Sequence, residues 1–190
     1  MIQIISFDIG IRNLALCILT YEESTKHSEI KIWKKVDLCC KKSDASGLID
    51  SLVKFLDTIV QEHMMHDLDT FVIIENQMTA VMKCLQASIY TYFKVMRSIL
   101  DMSMTTIYIN PKLKLKLVDH FKDYKSESQQ HSQKYKQNKV DSVDLTKWIL
   151  TTHYKDSDSY EFFLSSPKND DLADCYNQAV AWALLAYKSI

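Results

Sequence analysis

The spacing of apolar residues changes period along this chain, and each change marks an element. Ile4-Ile5-Ser6-Phe7 is a short apolar run that stops at Asp8, and a second run continues beyond Gly10 through Leu19. Two such runs around a glycine predict a β-hairpin, with residues 13–20 as its second arm. A polar turn, Tyr21–Ser28, leads into Glu29–Val36, where Ile30, Ile32 and Val36 alternate with polar residues and predict a third strand. Residues 37–46 read as a polar connection. Over Gly47–His63 the apolar residues Leu48, Ile49, Leu52, Val53, Leu56, Ile59 and Val60 recur at helical spacing, which predicts an amphipathic helix packed on the sheet.

Phe71-Val72-Ile73-Ile74 is apolar throughout and bounded by polar residues, as a buried parallel strand is, and the acid Glu75 stands where it stops. Ala80–Leu100 predicts a long helix, Thr105–Ile109 a fifth strand, and Pro111 the first position of a helix reaching about Phe121. Lys122–Asn138 is rich in Lys, Gln, Ser and Tyr and almost lacks aliphatics, so a mobile loop or poorly ordered helix is expected there. Val143–Leu150 reads as helix and Thr151–Lys168 as a long connection. From Asp170 to the end, Leu172, Ala173, Tyr176, Ala179, Val180, Ala183, Leu184 and Tyr187 trace a final helix. A three-strand meander followed by alternating helices and strands predicts an α/β fold: a mixed five-stranded sheet with helices on both faces. No repeat or linker interrupts the chain, so residues 1–190 are expected to form a single domain.

Composition narrows the class. With 47% hydrophobic residues in 190, the chain can bury a sizeable core and is not disordered. Its apolar runs are broken by charges and too short to span a bilayer. The first strand begins next to Met1, leaving no room for a cleavable leader, so a cytoplasmic protein without membrane attachment is expected. The cysteines Cys17, Cys39, Cys40, Cys84 and Cys175 are odd in number and lack zinc-site spacing, which predicts reduced thiols. Net charge is −1, but Lys112–Lys147 holds nine lysines against five acids, so that segment carries +4 and the remainder −5. Either a solvated lysine-rich face or a phosphate-contacting edge beside an acidic site accounts for this asymmetry.

The acids point to the chemistry. Asp8 ends the first strand, where it either caps the turn or holds a metal ion. Glu75 ends the fourth strand in a matching place. In Asn169-Asp170-Asp171-Leu172-Ala173-Asp174, Asp171 and Asp174 share a face one helical turn apart. A first-turn role on the helix dipole explains Asp170 or Asp171 but not Asp174 as well. Carboxylates converging on a half-buried face repel each other, and a divalent cation removes that penalty. An oxygen-only set of Asp8, Glu75, Asp171 and Asp174 suits Mg²⁺, with Mn²⁺ as a substitute, and two such ions can clamp a scissile phosphodiester of a nucleic acid. The Asp-x-Gly turn also opens sugar-kinase and actin-like ATPases, but those folds need further glycine-rich phosphate turns and this chain has only Gly10 and Gly47.

Phe7-Asp8-Ile9-Gly10-Ile11-Arg12-Asn13-Leu14-Ala15, Ile74-Glu75-Asn76-Gln77 and Asp170-Asp171-Leu172-Ala173-Asp174 together resemble the three acidic motifs of RuvC-like Holliday-junction resolvases. The likeness is to the branch of poxviruses, other large DNA viruses and yeast mitochondria, and it covers nearly the whole chain. It implies an RNase H-like fold and a homodimer that acts on four-way or branched DNA. It further implies metal-dependent, symmetric paired nicking in recombination or concatemer processing, at viral replication sites in the cytoplasm. Carried over by position, Asp8, Glu75, Asp171 and Asp174 match the four acids. Lys139 matches a catalytic lysine near the site that would neutralise charge on the phosphate or orient the nucleophile, with Lys134 and Lys136 as substitutes for it, and Gln77 matches a residue projecting toward DNA. Unlike many basic resolvases the chain is nearly neutral, so phosphate contacts would come from the +4 segment, doubled in a dimer. A non-catalytic scaffold that binds branched DNA on the same fold is the alternative; retention of all four acids speaks against it.

Overall fold

The computed structural model describes residues 1–38, 45–125 and 134–187. Five strands form one sheet: β1 (Ile2–Asp8), β2 (Leu14–Glu22), β3 (His27–Val36), β4 (Asp69–Glu75) and β5 (Met104–Ile109). Their order is β3-β2-β1-β4-β5. β1, β2 and β3 form an antiparallel meander, whereas β4 pairs with β1 and β5 with β4 in parallel. The mixed five-stranded sheet expected from the pattern is therefore present. β1 lies at its centre, and every residue from Ile2 to Phe7 is buried, which explains why Ile2, Ile4, Ile5 and Phe7 supply apolar side chains to both faces.

Helices cover both faces. Leu48, Leu52, Leu56 and Ile59 of α1 (Ala45–His63) and Leu85, Ile89 and Phe93 of α2 (Ala80–Leu100) pack with Ile5, Phe7, Val72 and Ile74 on one side. On the other, Leu172, Tyr176, Ala179 and Val180 of α6 (Asp170–Ala181) pack with Ile2, Ile4, Cys17 and Ile73. Each fully buried leucine or isoleucine in these clusters contributes about 2 kcal/mol of apolar transfer free energy. The alternation fixes more than the core. Ile5 and Phe7 face α1 and α2, so Asp8, one position on, faces α6; by the same count Glu75 follows Ile74 and faces α6.

Several stretches differ from expectation. The helix expected from Pro111 divides into a 3₁₀ turn, Pro111–Leu113, and a short α3, Lys116–His120. Instead of beginning at Val143, α4 runs over Lys134–Trp148, into the stretch read as loop, and it continues into a π-type turn, Ile149–His153. Its first half lacks an apolar stripe and is held by polar contacts to α6. Of the rest of Lys122–Asn138, residues 126–133 lie outside the described residues. The supposed connection Thr151–Lys168 contains α5 (Ser157–Ser165), capped by Asp156, whose carboxylate accepts from the Ser159 N–H at 3.0 Å. Phe163 of α5 stacks on Trp33 of β3 with ring centroids 5.1 Å apart. Cys17 and Cys175 are buried free thiols and Cys84 an exposed one, while Cys39 and Cys40 lie outside the described residues. No described helix is long and apolar enough to cross a membrane.

Candidate active site

Parallel pairing of β1 with β4 puts Phe7 opposite Ile74, so Asp8 and Glu75 leave adjacent strand ends side by side. The turn after Asp8 needs Gly10 because a Cβ there would stand 2.7 Å from the Asn13 carbonyl oxygen. Two bonds seat α6 over these strand ends. The Gln178 amide donates to the Phe7 carbonyl at 3.2 Å, and the Trp33 indole N–H donates to the Leu172 carbonyl at 3.1 Å. Leu172 lies between Asp171 and Asp174, so this indole bond holds the turn that carries both acids.

A cavity of about 490 Å³ opens at this end of the sheet. Asp8, Glu75, Gln77, Asp171 and Asp174 all line it, joined by Lys112, Lys114, Lys139 and Ser142 from the segments after β5. The four carboxylates singled out in the sequence are thus brought together. Lys139 also reaches the cavity wall, but it is ion-paired with Asp170. Lys134 and Lys136 belong to the first turn of α4, and their side chains lie outside the described residues. Gln77 lines the cavity with its amide donating to the Glu75 carbonyl at 3.3 Å, while its own N–H donates to Gln86 Oε1 at 2.8 Å.

Lys114 was not distinguished in the sequence. Its Nζ lies 3.0 Å from Glu75 Oε2 and 2.8 Å from Asp174 Oδ2, with about 15% of the side chain exposed. The 3₁₀ turn after β5 places it there, started by Asn110, whose side chain accepts from the Lys112 N–H at 2.9 Å. Lys112, Lys114 and Lys116 are equivalent in sequence, and only the three-residue turn tells which one points inward.

The electrostatics describe a site short of positive charge. Burial, and then the charges of Asp174 and Glu75, push the Asp8 carboxyl up to about 8, against the opposing pull of Lys114. Asp171 is raised by burial and by its neighbour Asp170. Burial also disfavours the Asp170 charge, but the Lys139 ammonium outweighs it and holds that carboxyl below its usual range. For Lys114 burial opposes the charge, yet Asp174 and Glu75 more than compensate and keep the ammonium protonated well above its usual range. The all-oxygen donor set fits a hard divalent cation. As the side chains stand, no three His, Cys, Asp or Glu groups among the described residues close around one point, and the Lys114 ammonium supplies the positive charge between Glu75 and Asp174.

The family model described as Poxvirus A22 protein matches residues 1–186. Among solved structures, the fowlpox virus resolvase in complex with Holliday junction DNA aligns with a TM-score of 0.62 at 19% identity, covering 96% of this chain and 97% of that one. The yeast mitochondrial Holliday junction resolvase aligns at 0.68 and 15% identity, over 96% of this chain and 78% of that one. RuvC of Thermus thermophilus aligns at 0.59 and 11% identity, over 99% and 97%. No curated protein sequence matches. The structural likenesses establish a shared RuvC-like, RNase H-type fold, in agreement with the resemblance of the acidic motifs.

Proposed function

The chain belongs to the Poxvirus A22 protein family, and from that premise we propose that it is a metal-dependent endonuclease that resolves four-way DNA junctions by paired nicks. The observation that carries this reading is the convergence of Asp8, Glu75, Asp171 and Asp174 on one cavity, from two adjacent parallel strand ends and one helix. We propose that residues 1–190 act as one domain and that these four acids are the catalytic metal ligands. Resolvases of this fold depend on divalent metal; Mg²⁺, two ions per site and replacement by Mn²⁺ are part of the proposal. When bound, the cations supply Lewis-acid assistance to phosphodiester hydrolysis.

The chain's own groups account for the rest. Asp8 and Glu75 approach from the rigid sheet, and Asp171 and Asp174 from α6, so the ligands converge without a mobile loop. Lys114 balances the acids until substrate arrives. Released from Asp174 Oδ2, its ammonium can donate to a phosphate oxygen and offset charge that builds as water attacks phosphorus and the P–O3′ bond breaks. The products are a 5′-phosphate and a 3′-hydroxyl. Lys139 is proposed to assist by neutralising charge on the phosphate, and with Lys134, Lys136 and Gln77 to contact the DNA.

Paired nicks require two sites. The face of α2 beside its buried stripe exposes Val81, Val95 and Ile99, which supports association with a second copy as a homodimer. Action in the cytoplasm, at sites of viral replication, completes the proposal. A synthetic four-way junction and a linear duplex of the same sequence, incubated with Mg²⁺, Mn²⁺ or EDTA, test it. Symmetric, metal-dependent nicks confined to the junction are expected. Equal cutting of both substrates overturns the junction specificity, and tight junction binding without nicking indicates a scaffold instead.

A further inference from the structure

Asp174 is held on both oxygens, and the second contact opens a chain of buried polar groups between α4 and α6. Oδ2 meets Lys114, whereas Oδ1 accepts from the Ser142 hydroxyl at 2.7 Å. Behind Ser142 stands Asn177, 1% exposed, whose Nδ2 lies 2.9 Å from the Ser142 carbonyl and 3.0 Å from Ser142 Oγ. Behind Asn177 stands Thr146, fully buried, with its hydroxyl within reach of two acceptors, Asn177 Oδ1 at 3.1 Å and the Ser142 carbonyl one turn back at 2.9 Å.

The chemistry gives this chain one direction. A carbonyl only accepts, so the amide group facing the Ser142 carbonyl is the Asn177 NH₂, and Oδ1 faces Thr146. The Ser142 carbonyl already receives an Asn177 N–H, whereas Asn177 Oδ1 is buried and needs a donor, so the Thr146 proton belongs there. Asn177 then donates to Ser142 Oγ, and the Ser142 proton is left for Asp174 Oδ1. Each donor points toward the carboxylate.

We infer that Thr146, Asn177 and Ser142 form a one-way relay that fixes the Asp174 carboxylate, holding Oδ1 toward Ser142 and Oδ2 toward Lys114 and the cavity, where Asp174 would help to hold a divalent cation. These are positioning residues, because each acts through the Asp174 carboxylate rather than on the substrate. The inference rests on the metal-dependent reading above. The relay also ties the middle of α4, at Ser142, to Asp174 and Asn177 of α6.

The full chain titrated with Mn²⁺ by calorimetry, beside thermal unfolding in EDTA, tests this. Ser142→Ala is expected to weaken Mn²⁺ binding about tenfold, the usual effect of removing a partner of a metal ligand. Thr146→Val, two links from Asp174, is expected to weaken it by a smaller factor of about three, because a distant member acts only through the chain. Ser142→Thr keeps the hydroxyl and is expected to bind as the parent does. In nicking assays the loss should appear in the Mn²⁺ concentration required and shrink at saturating metal. Variants that lower the unfolding midpoint but bind Mn²⁺ as the parent does overturn the relay and leave a packing role. Ser142→Thr binding as weakly as Ser142→Ala also overturns it. If the parent takes up no Mn²⁺, the metal reading falls and the relay with it; parental binding with no loss in Ser142→Ala removes the relay alone.

Discussion

The two walls of the cavity are built in contrasting ways. Asp8 and Glu75 end β1 and β4, strands buried on both faces and fastened into the middle of the sheet. Lys114 and Lys139 arrive on a 3₁₀ turn and on the polar half of α4, elements with little apolar anchorage. Asp8 and Glu75 are therefore delivered to the cavity by the packing of their strands. The cations hold theirs because of the acids: Lys114 through Glu75 and Asp174, Lys139 through Asp170. A site made this way has a rigid anionic floor and a cationic wall that can exchange carboxylate partners for phosphate.

The largest effect should come from the floor. Asp8→Asn keeps the shape and removes the charge, and the expected loss of junction nicking is at least about a thousandfold, or about 4 kcal/mol on the barrier. Junction binding in EDTA should persist. Because burial and two neighbouring acids oppose ionisation of Asp8, the metal-free variant should also unfold at a higher temperature than the parent. Parental nicking by Asp8→Asn would remove the floor from the chemistry altogether.

The wall should respond to metal in the opposite sense. Lys114→Met preserves the aliphatic stem but leaves Glu75 and Asp174 without their shared cation. In EDTA near neutral pH the expected destabilisation is about 3 kcal/mol, that of a buried pair with one member removed. Divalent metal should recover most of it, since a bound ion takes over the charge balance. Denaturant midpoints with and without Mn²⁺ check this, and a deficit of equal size in both conditions would mean that Lys114 serves packing rather than charge.

This contrast also decides what was legible in the sequence. Strand β1, strand β4 and helix α6 carry strong apolar periodicity, so their ends, and hence Asp8, Glu75, Asp171 and Asp174, were readable by position. Parity even sets their common face, because each strand acid follows a residue packed against α1 and α2. Lys114 was not readable, since three lysines alternate over 112–116 and a single short turn selects among them. Lys139 was placed by resemblance at the site and does reach the cavity, but its partner is Asp170, an acid that sequence alone treated as a helix-start residue. Helix α4 was cut short because its first half is ordered by Ser142 and Lys139 contacts, and such long-range polar pairs leave no periodic trace. Helix α5 was missed for a related reason. Phe163 is its one buried residue, against Trp33 with the adjacent Phe162 beside it, which makes no stripe, and only the cap Asp156 signals its start.

A pH dependence should sharpen the contrast further. Below about pH 4 the Asp8 carboxyl is protonated in folded and unfolded chains alike. Between there and about 8 the folded chain keeps the proton and the unfolded chain has lost it, so stability falls as pH rises through this window. Above it the carboxyl is ionised in both states and the loss is complete. Lys114, raised above its usual range, contributes stability that is fully present throughout this window and is lost only at more alkaline pH. In EDTA the urea midpoint should drop between pH 5.5 and 8.5, and Asp8→Asn should flatten that drop. A drop of the same size in the variant would assign it to other groups.

The smallest effect belongs to the exposed end of the wall. Lys139 and Asp170 are both partly solvated, with 35% and 25% of their side chains exposed, so breaking their pair should change stability by less than about 1 kcal/mol. The informative variant is Asp170→Asn, which removes the charge paired with Lys139 and also relieves Asp171 of a neighbouring acid. If Lys139 is a phosphate contact held in reserve by Asp170, junction affinity should rise severalfold. The salt dependence of binding should steepen by about one phosphate contact. Lys139→Ala in the same background should cancel both changes. An Asp170→Asn protein with parental affinity and salt slope would confine Lys139 to its helix-to-helix contact and leave Lys114 as the cationic side of this cavity on which the proposed chemistry depends.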